Sequence, residues 1–343
     1  APRTEALLLT SATPHNGDPE SFAELIRLLD PTAIADPTDI DAADIDHLYV
    51  RRHKQHEEVA AEVRSDWADR LQPQPLLIKA SDAENAMFAE LANTWIHPAS
   101  GTAPTSGKGR TLFPWTLFKA ALSSHRALGE TITARRATLA KRETADEGAE
   151  AEDRALERLG ELNAAIDDQS ASKLTALIEQ LKEIGVGPRS DTRVVVFSER
   201  IATLDWLAAT VPKALKLKDN DVRVLHGGMA DVKQMDVIAE FGLAESGVKL
   251  LLTGDMASEG VNLHRQCHHL IHFDLPWSLI TIEQRNGRID RYGQRHSPDV
   301  RALLLNPDHP YLHGDVRIFT KLLQREHEAH RAFGDSSSLL GVH

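Results

Sequence analysis

Arg193-Val194-Val195-Val196-Phe197-Ser198 is the stretch on which the fold turns. A short apolar run rich in β-branched residues, with no polar face, reads as a strand covered on both sides. Helical patterning follows at 201–210. The unit repeats downstream: strand 222–225 and helix 230–241, strand 248–253, strand 269–273 and helix 279–291, then strand 300–305. Strands alternating with helices predict an α/β fold, a parallel sheet with helices on both faces. In such sheets, ligands sit beyond the carboxyl ends of the strands. Ser198, His226–Gly228 and Thr253–Asp255 fall at those ends, as does Thr10–Pro14 after an expected strand at Ala6–Thr10. One functional edge is therefore expected.

The run Gln284-Arg285-Asn286-Gly287-Arg288-Ile289-Asp290-Arg291-Tyr292-Gly293-Gln294 follows the fourth of these strands. On a continuous helix, Gln284, Arg288 and Arg291 would share one face at i, i+4 and i+7. Guanidinium is permanently charged and donates in a planar fork that matches phosphate oxygens. Arginines so placed can stabilise charge developing on a phosphoryl group in transfer. The bland reading, a solvated basic helix end, is weakened by the strand-end residues upstream. Thr253-Gly254-Asp255-Met256-Ala257-Ser258-Glu259-Gly260-Val261-Asn262-Leu263 supplies amides and hydroxyls straight after a strand, a composition suited to phosphate or ribose.

Composition bounds the class. The chain has 343 residues, 41% hydrophobic and 26% charged, enough for two globular domains. No apolar run approaches the ~20 residues that span a bilayer, and no leader pattern is visible. One cysteine, Cys267, excludes an intrachain disulfide and fits a reducing cytoplasm. The net charge of −12 argues against nucleic-acid binding in bulk, but it is unevenly placed. Residues 141–168 hold ten acids against four bases, half of the total imbalance.

Along the chain, 20–29 reads as a helix, 31–46 as a Pro- and Asp-rich loop, and Leu76–Lys79 as a brief strand after two prolines. A helix at 82–96 and a loop at 98–114 precede long helical patterning over 115–184. The acidic stretch near 143–153 is expected at the bend of a helical hairpin. The expected division is 1–30, 31–79 as linker, 80–170 as a mainly helical insertion, 171–306 as the parallel-sheet domain, and 307–343 as a terminal helix and tail. The chain starts at Ala1 without Met and enters an apolar run, so a segment of a longer protein is expected.

Six segments in order carry a resemblance: Leu7–Pro14, Val194–Ser198, His226–Gly228, Thr253–Leu263, His272–Trp277 and Glu283–Gln294. Together they resemble motifs III to VI of superfamily 2 helicases, and within that superfamily the Snf2 family, in its bacterial RapA/HepA-like branch. Arg51-Arg52-His53-Lys54, Leu122-Ser123-Ser124 and Ser172-Lys173-Leu174 add to it. The resemblance covers about residues 6–305. It implies a RecA-like second lobe that shares an ATP site with a first lobe, ATP and Mg2+ as cofactors, and nucleic acid, in particular double-stranded DNA, as partner. It makes Arg288 and Arg291 arginine fingers facing the γ-phosphate. Gln284, Glu259 and Gly260 line the nucleotide side, with Asn262 nearby. Ser198, His226, Gly227 and Thr253 lie along the nucleic-acid track, and Ser11 and Thr13 couple ATP state to strand grip. Ser11-Ala12-Thr13 departs from the usual Snf2 form and favours the bacterial branch, which places the protein in the cytoplasm, at the nucleoid.

A phosphate loop needs G-x-x-x-x-G-K-[ST] after a strand. The nearest match, Gly101 with Ser106-Gly107-Lys108-Gly109, has the wrong spacing and no hydroxyl. The only Asp-Glu pair, Asp146-Glu147, lies in the acidic helical stretch. The expectation is an arginine-finger half-site, with the isolated chain inactive. His264, Cys267, His268, His269 and His272 imitate a metal cluster, but alternation along a strand sends their side chains to opposite faces, so no metal is expected. His327 and His330 read as a solvated terminal helix. Two other functions fit the residues: a non-catalytic scaffold whose helical insertion binds RNA polymerase or a defence-complex subunit, and a strand-separating helicase. No base-reading element is apparent, so backbone-directed, salt-sensitive binding is expected.

Overall fold

The computed structural model describes residues 6–10, 19–37, 45, 47–48, 50, 54, 57–63, 65–99, 101–106, 111–141, 147–255, 261–312 and 320–328. Within them, six strands form one sheet: β1 Gln74–Lys79, β2 Val194–Phe197, β3 Val222–Leu225, β4 Leu250–Thr253, β5 His269–His272 and β6 Asp299–Asn306. Their order is β1-β6-β5-β2-β4-β3 and every pair is parallel, as the sequence pattern predicts. Phe197 lies opposite both Thr253 and His272, and Leu225 opposite Thr253. The carboxyl ends of β2 to β5 therefore finish level, along one edge.

The period of two along each strand divides the core. Val194, Val196, Leu250, Leu252, Ile271, Leu303 and Leu305 face one side. Val195, Phe197, Leu225, Leu251, Leu270 and Val300 face the other. The first side carries most of the helices: α3 Asp82–Glu90, α4 Phe113–Ser123, α5 His125–Ala140, α6 Glu147–Ala164, α7 Ser172–Ile184 and α8 Ile201–Leu215. Two short helices, α1 Pro19–Leu29 and α2 Glu57–Val63, precede β1. The second side is covered by α9 Asp231–Gly242 through Phe241, by the turn at 261–267 and by Ile289. Ile282 of α10 Leu279–Asn286 joins Ala302, Leu304 and Leu323 there. We call these the helical face and the arginine face.

Local signals explain the helix boundaries. Ser81 and Glu84 form a reciprocal capping box that starts α3. Ser124, extended at φ −163, separates α4 from α5 and accepts from the Ala127 N–H at 3.1 Å. Gly185, at φ 97, ends α7 in the left-handed conformation that favours glycine. A six-residue π-helical turn, Leu91–Ile96, prolongs α3.

Four expectations change. Ala6–Thr10 is no strand: it pairs with none of the six, and Leu8 is 86% exposed. An apolar run without a partner strand has nothing to satisfy its backbone. β1, read as the tail of a linker, is the edge of the main sheet, where Pro75 costs no interior ladder bond. Helices α3 to α6, read as an insertion, share one cluster with the sheet: Phe88, Leu117, Leu128 and Leu156 belong with Val194 and Val196. The helix expected at 279–291 stops at Asn286, and residues 287–289 form a turn. The acidic stretch is partly helical, since α5 ends at Ala140 and α6 begins at Glu147.

Candidate functional site

The level strand ends are joined by a buried polar network. Asp274, just past β5, accepts from the Ser123 and Ser198 hydroxyls, each at 2.6 Å, and from the Glu199 N–H at 2.9 Å. Thr203 bonds both Ser123 and Ser124, at 2.8 and 2.7 Å. Lys173 donates to the Leu122 carbonyl at 2.7 Å and lies 4.2 Å from the Phe273 ring centroid. The segments Leu122–Ser124 and Ser172–Leu174, far apart in sequence, thus meet beneath β2 and β5.

Arg285 closes the network. Fully buried, it makes a bidentate pair with Asp255 at 2.5 and 2.8 Å and donates to the Asp274 carbonyl at 2.8 Å. It stacks on Phe197, 5.2 Å from the ring centroid. His272 and Asn286 bond beside it at 3.0 Å. Burial pushes the Asp274 carboxyl up, but Arg285 and Lys173 beside it outweigh this and hold it below the usual range. Burial draws Lys173 down to about 8 against the pull of Asp274 and Glu84. Burial, then the neighbouring Arg285 charge, pushes His272 down to about 3, so its ring is neutral.

The arginine turn sits on this base. Gly287 N–H donates back to the Glu283 carbonyl at 2.8 Å, and Ile289 and Asp290 turn back onto Asn286 at 3.1 and 2.9 Å. Ile289 enters the core while Arg288 is half-buried and Arg291 exposed. Arg291 donates to the Asn262 amide oxygen, and the Leu263 N–H donates to the Arg288 carbonyl at 3.1 Å, so the two loops are stitched together. Gln294 is buried and donates to the carbonyls of His264, Cys267 and Ile289 at 2.9–3.0 Å, which fixes where the turn ends.

The expected site residues divide accordingly. Arg288, Arg291 and Asn262 come together on the arginine face. Gln284 is exposed on α10, but it does not share a helical face with the two arginines, because the helix ends before them. Ser198 and Thr253, expected along a nucleic-acid track, are fully buried; the Thr253 hydroxyl is turned onto the Gly254 carbonyl at 3.1 Å. They hold the strand ends together and present no surface. His226 is half-buried, its Nδ1 accepting from the Gly228 N–H at 3.1 Å, and Gly227 is exposed. Glu259, Gly260, Ser11 and Thr13 lie outside the described residues. Among the described residues, no His, Cys, Asp and Glu group is arranged to hold a metal ion, and no helix is long and apolar enough to cross a membrane. His268 and His269 stack at 4.0 Å, and His269 pairs with Asp299 at 3.3 Å.

Sequence reasoning assigned no role to Asp255, Asp274 or Arg285. A signal existed for Arg285: directly after Gln284, it must point away from Gln284's face of the helix, into the protein. A buried Arg requires carboxylates.

Residues 172–293 match the helicase conserved C-terminal domain family. Over 135 residues the chain is 33% identical to the RNA polymerase-associated protein RapA of Vibrio campbellii, a match covering 39% of this chain and 13% of that protein. The chain thus spans a small part of the length of such curated relatives. The helicase domain of Pyrococcus furiosus Hef superposes with a TM-score of 0.50 at 13% identity, covering 83% of this chain and 68% of that one. A Sulfolobus solfataricus SWI2/SNF2 ATPase core in complex with dsDNA gives a TM-score of 0.49 at 16% identity, covering 92% and 59%. The sheet and the domain match define a RecA-like lobe that carries a helicase conserved C-terminal domain over residues 172–293. Over this part of its length the chain is similar to the RapA proteins.

Proposed function

We propose that this lobe is the arginine-finger half of an ATP-driven DNA translocase, with the nucleotide held between it and a partner lobe. The observation that carries the reading is the different treatment of neighbouring arginines. Arg285 is buried against Asp255 and Asp274, which absorb its charge. Arg291 is exposed and, among the described residues, meets a neutral amide rather than a carboxylate. A guanidinium left with its charge at the surface, on a turn anchored by core residues, fits a polyphosphate. Bound ATP supplies a phosphoryl group whose transfer builds up negative charge. Arg288 and Arg291 receive that charge in trans, and Asn262 orients the Arg291 fork. Gln284, Glu259 and Gly260 complete the nucleotide side. Among the described residues no grouping is arranged for Mg2+, which the partner lobe would hold.

Duplex DNA is the proposed track, gripped through its backbone by the strand-end loop at His226 and Gly227. Ser198 and Thr253 serve it from beneath by fixing those ends, and Ser11 and Thr13 report ATP state. A cytoplasmic, nucleoid-associated setting goes with this reading. The isolated chain is expected to turn over no ATP; magnesium- and DNA-dependent hydrolysis by residues 1–343 alone would sink the proposal. A protein partner, such as RNA polymerase, is a second role compatible with the first. It is favoured by one observation: Trp115 and Trp277, both partly exposed, meet edge to face with ring centroids 5.9 Å apart, and Leu112, three positions before Trp115, is exposed. Loss of polymerase pulldown on Trp115→Ala, with ATP turnover intact, would establish that second role.

A further inference from the structure

The arginine turn has a second support, from a segment more than 200 residues away. Residues 65–71 run alongside 290–298. Gly293 N–H donates to the Asp66 carbonyl at 2.9 Å, Ala68 N–H to the Gln294 carbonyl at 2.8 Å, and Leu71 N–H to the Pro298 carbonyl at 3.0 Å. The contacts made by side chains are more pointed. The Trp67 indole N–H donates to Asp290 Oδ1 at 2.8 Å across 223 positions. The Arg70 guanidinium, 2% exposed, lies 3.9 Å from the other Asp290 oxygen. Arg70 also makes a bidentate pair with Glu326 at 2.9 and 3.0 Å. Glu326, 1% exposed, sits on the 320–328 helix, whose Leu323 packs with Ile282 of α10. Lys54 pins the segment from behind, donating to the Ala68 carbonyl at 2.8 Å and lying 5.3 Å from the Trp67 ring centroid.

Asp290 stands between Arg288 and Arg291. Ile289 is committed to the core, so drawing Asp290 inward as well leaves Arg291 exposed, with Arg288 half-buried beside it. We propose that Trp67 and Arg70 are positioning residues for the arginine turn, holding Asp290 inward so that Arg288 and Arg291 are presented together. The inference rests on the reading of those arginines given above. It adds that the segment leading into β1 sets the turn. A displacement of that segment is then felt first at the arginines, because the part-buried indole–carboxylate bond is directional and its Asp290 end is buried.

The test uses the full-length protein with Trp67→Phe, which keeps an aromatic ring and removes the donor. ATP turnover at saturating ATP is expected to fall about tenfold, with KM moving within about twofold, because a charge-assisted bond that orients a transition-state group is lost. Added to Arg288→Ala, the same change is expected to cost less than it does alone, because only Arg291 is left to misplace. Hydrogen exchange of 287–294 is expected to quicken while that of 194–197 and 250–253 is unchanged. Wild-type turnover in Trp67→Phe overturns the inference, as does an additive loss on the Arg288→Ala background or equal loss of protection in the strands. If Arg288→Ala itself turns over normally, the arginine reading fails. The exchange of 287–294 then still decides whether Trp67 positions the turn.

Discussion

The two faces of the sheet are built to different purposes. On the helical face, six helices share one hydrophobic cluster with the strands, with Phe88, Leu117, Leu128, Leu156 and Leu207 fully buried. One of its charges is internal: Glu152, wholly buried, accepts from Ser106 at 2.7 Å and from Arg135 at 2.7 and 3.0 Å. The arginine face is thinner. α9 buries only Phe241 and leaves Val232 and Met235 70% exposed, and Leu77 of β1 is 60% exposed on that side. α10, the 320–328 helix and several turns cover the rest. A thick layer on one side supplies rigidity, and that rigidity lets the other side be made of turns without losing their geometry.

The largest expected effect attacks the arginine face. Arg288→Ala in the full-length protein should lower ATP turnover by roughly 10³-fold or more while DNA retention on a filter stays near wild type. Equal loss of both would mean that the two faces are not separable. Second, Phe88→Ala on the helical face should cost about 3–5 kcal/mol in urea unfolding, because it opens a cavity in the main cluster. Met235→Ala should change stability by less than about 0.5 kcal/mol. Similar costs at the two positions would erase the distinction.

Acid should weaken the two faces together. His125 on the helical face and His268 are pushed down to about 4 chiefly by burial, and His272 to about 3. Their folded pKa values lie below the unfolded value of about 6.5, so below that pH the unfolded chain binds more protons. Stability is therefore intact above about pH 6.5 and falls with acid toward pH 4, by about 1.4 kcal/mol per pH unit for each histidine once the unfolded ring is charged. Asp274, held low, adds a further loss below the unfolded carboxylate range. Urea midpoints that stay flat from pH 7 to 5 would contradict this, and His125→Phe should make the slope shallower. The smallest effect belongs to the solvated rim: Arg136→Ala removes the pairs to Asp153 and Glu157 and should cost less than about 1 kcal/mol by thermal melting.

The strands were the most legible part of the molecule. Val194–Phe197 and residues 250–252 are apolar along their whole length because both faces are covered. α10 was less legible. The i, i+4, i+7 spacing of Gln284, Arg288 and Arg291 continues a helical pattern through Gly287, yet the chain turns there. The polar residues at strand ends misled in a different way. Ser198 and Thr253 read as surface donors, but their burial becomes tolerable once Asp274 and a local carbonyl accept their protons.

Sequence alone determined the parallel α/β class, the edge on which the polar loops collect, and the arginine-bearing segment, because each follows from spacings of a few residues. Tertiary structure alone decided which arginine is spent inside and which is offered outside. Arg285 finds Asp255 thirty positions away, and Trp67 finds Asp290 across 223. Those pairings are set by which elements pack together, since a buried charge or donor settles only where packing brings its partner within hydrogen-bond reach.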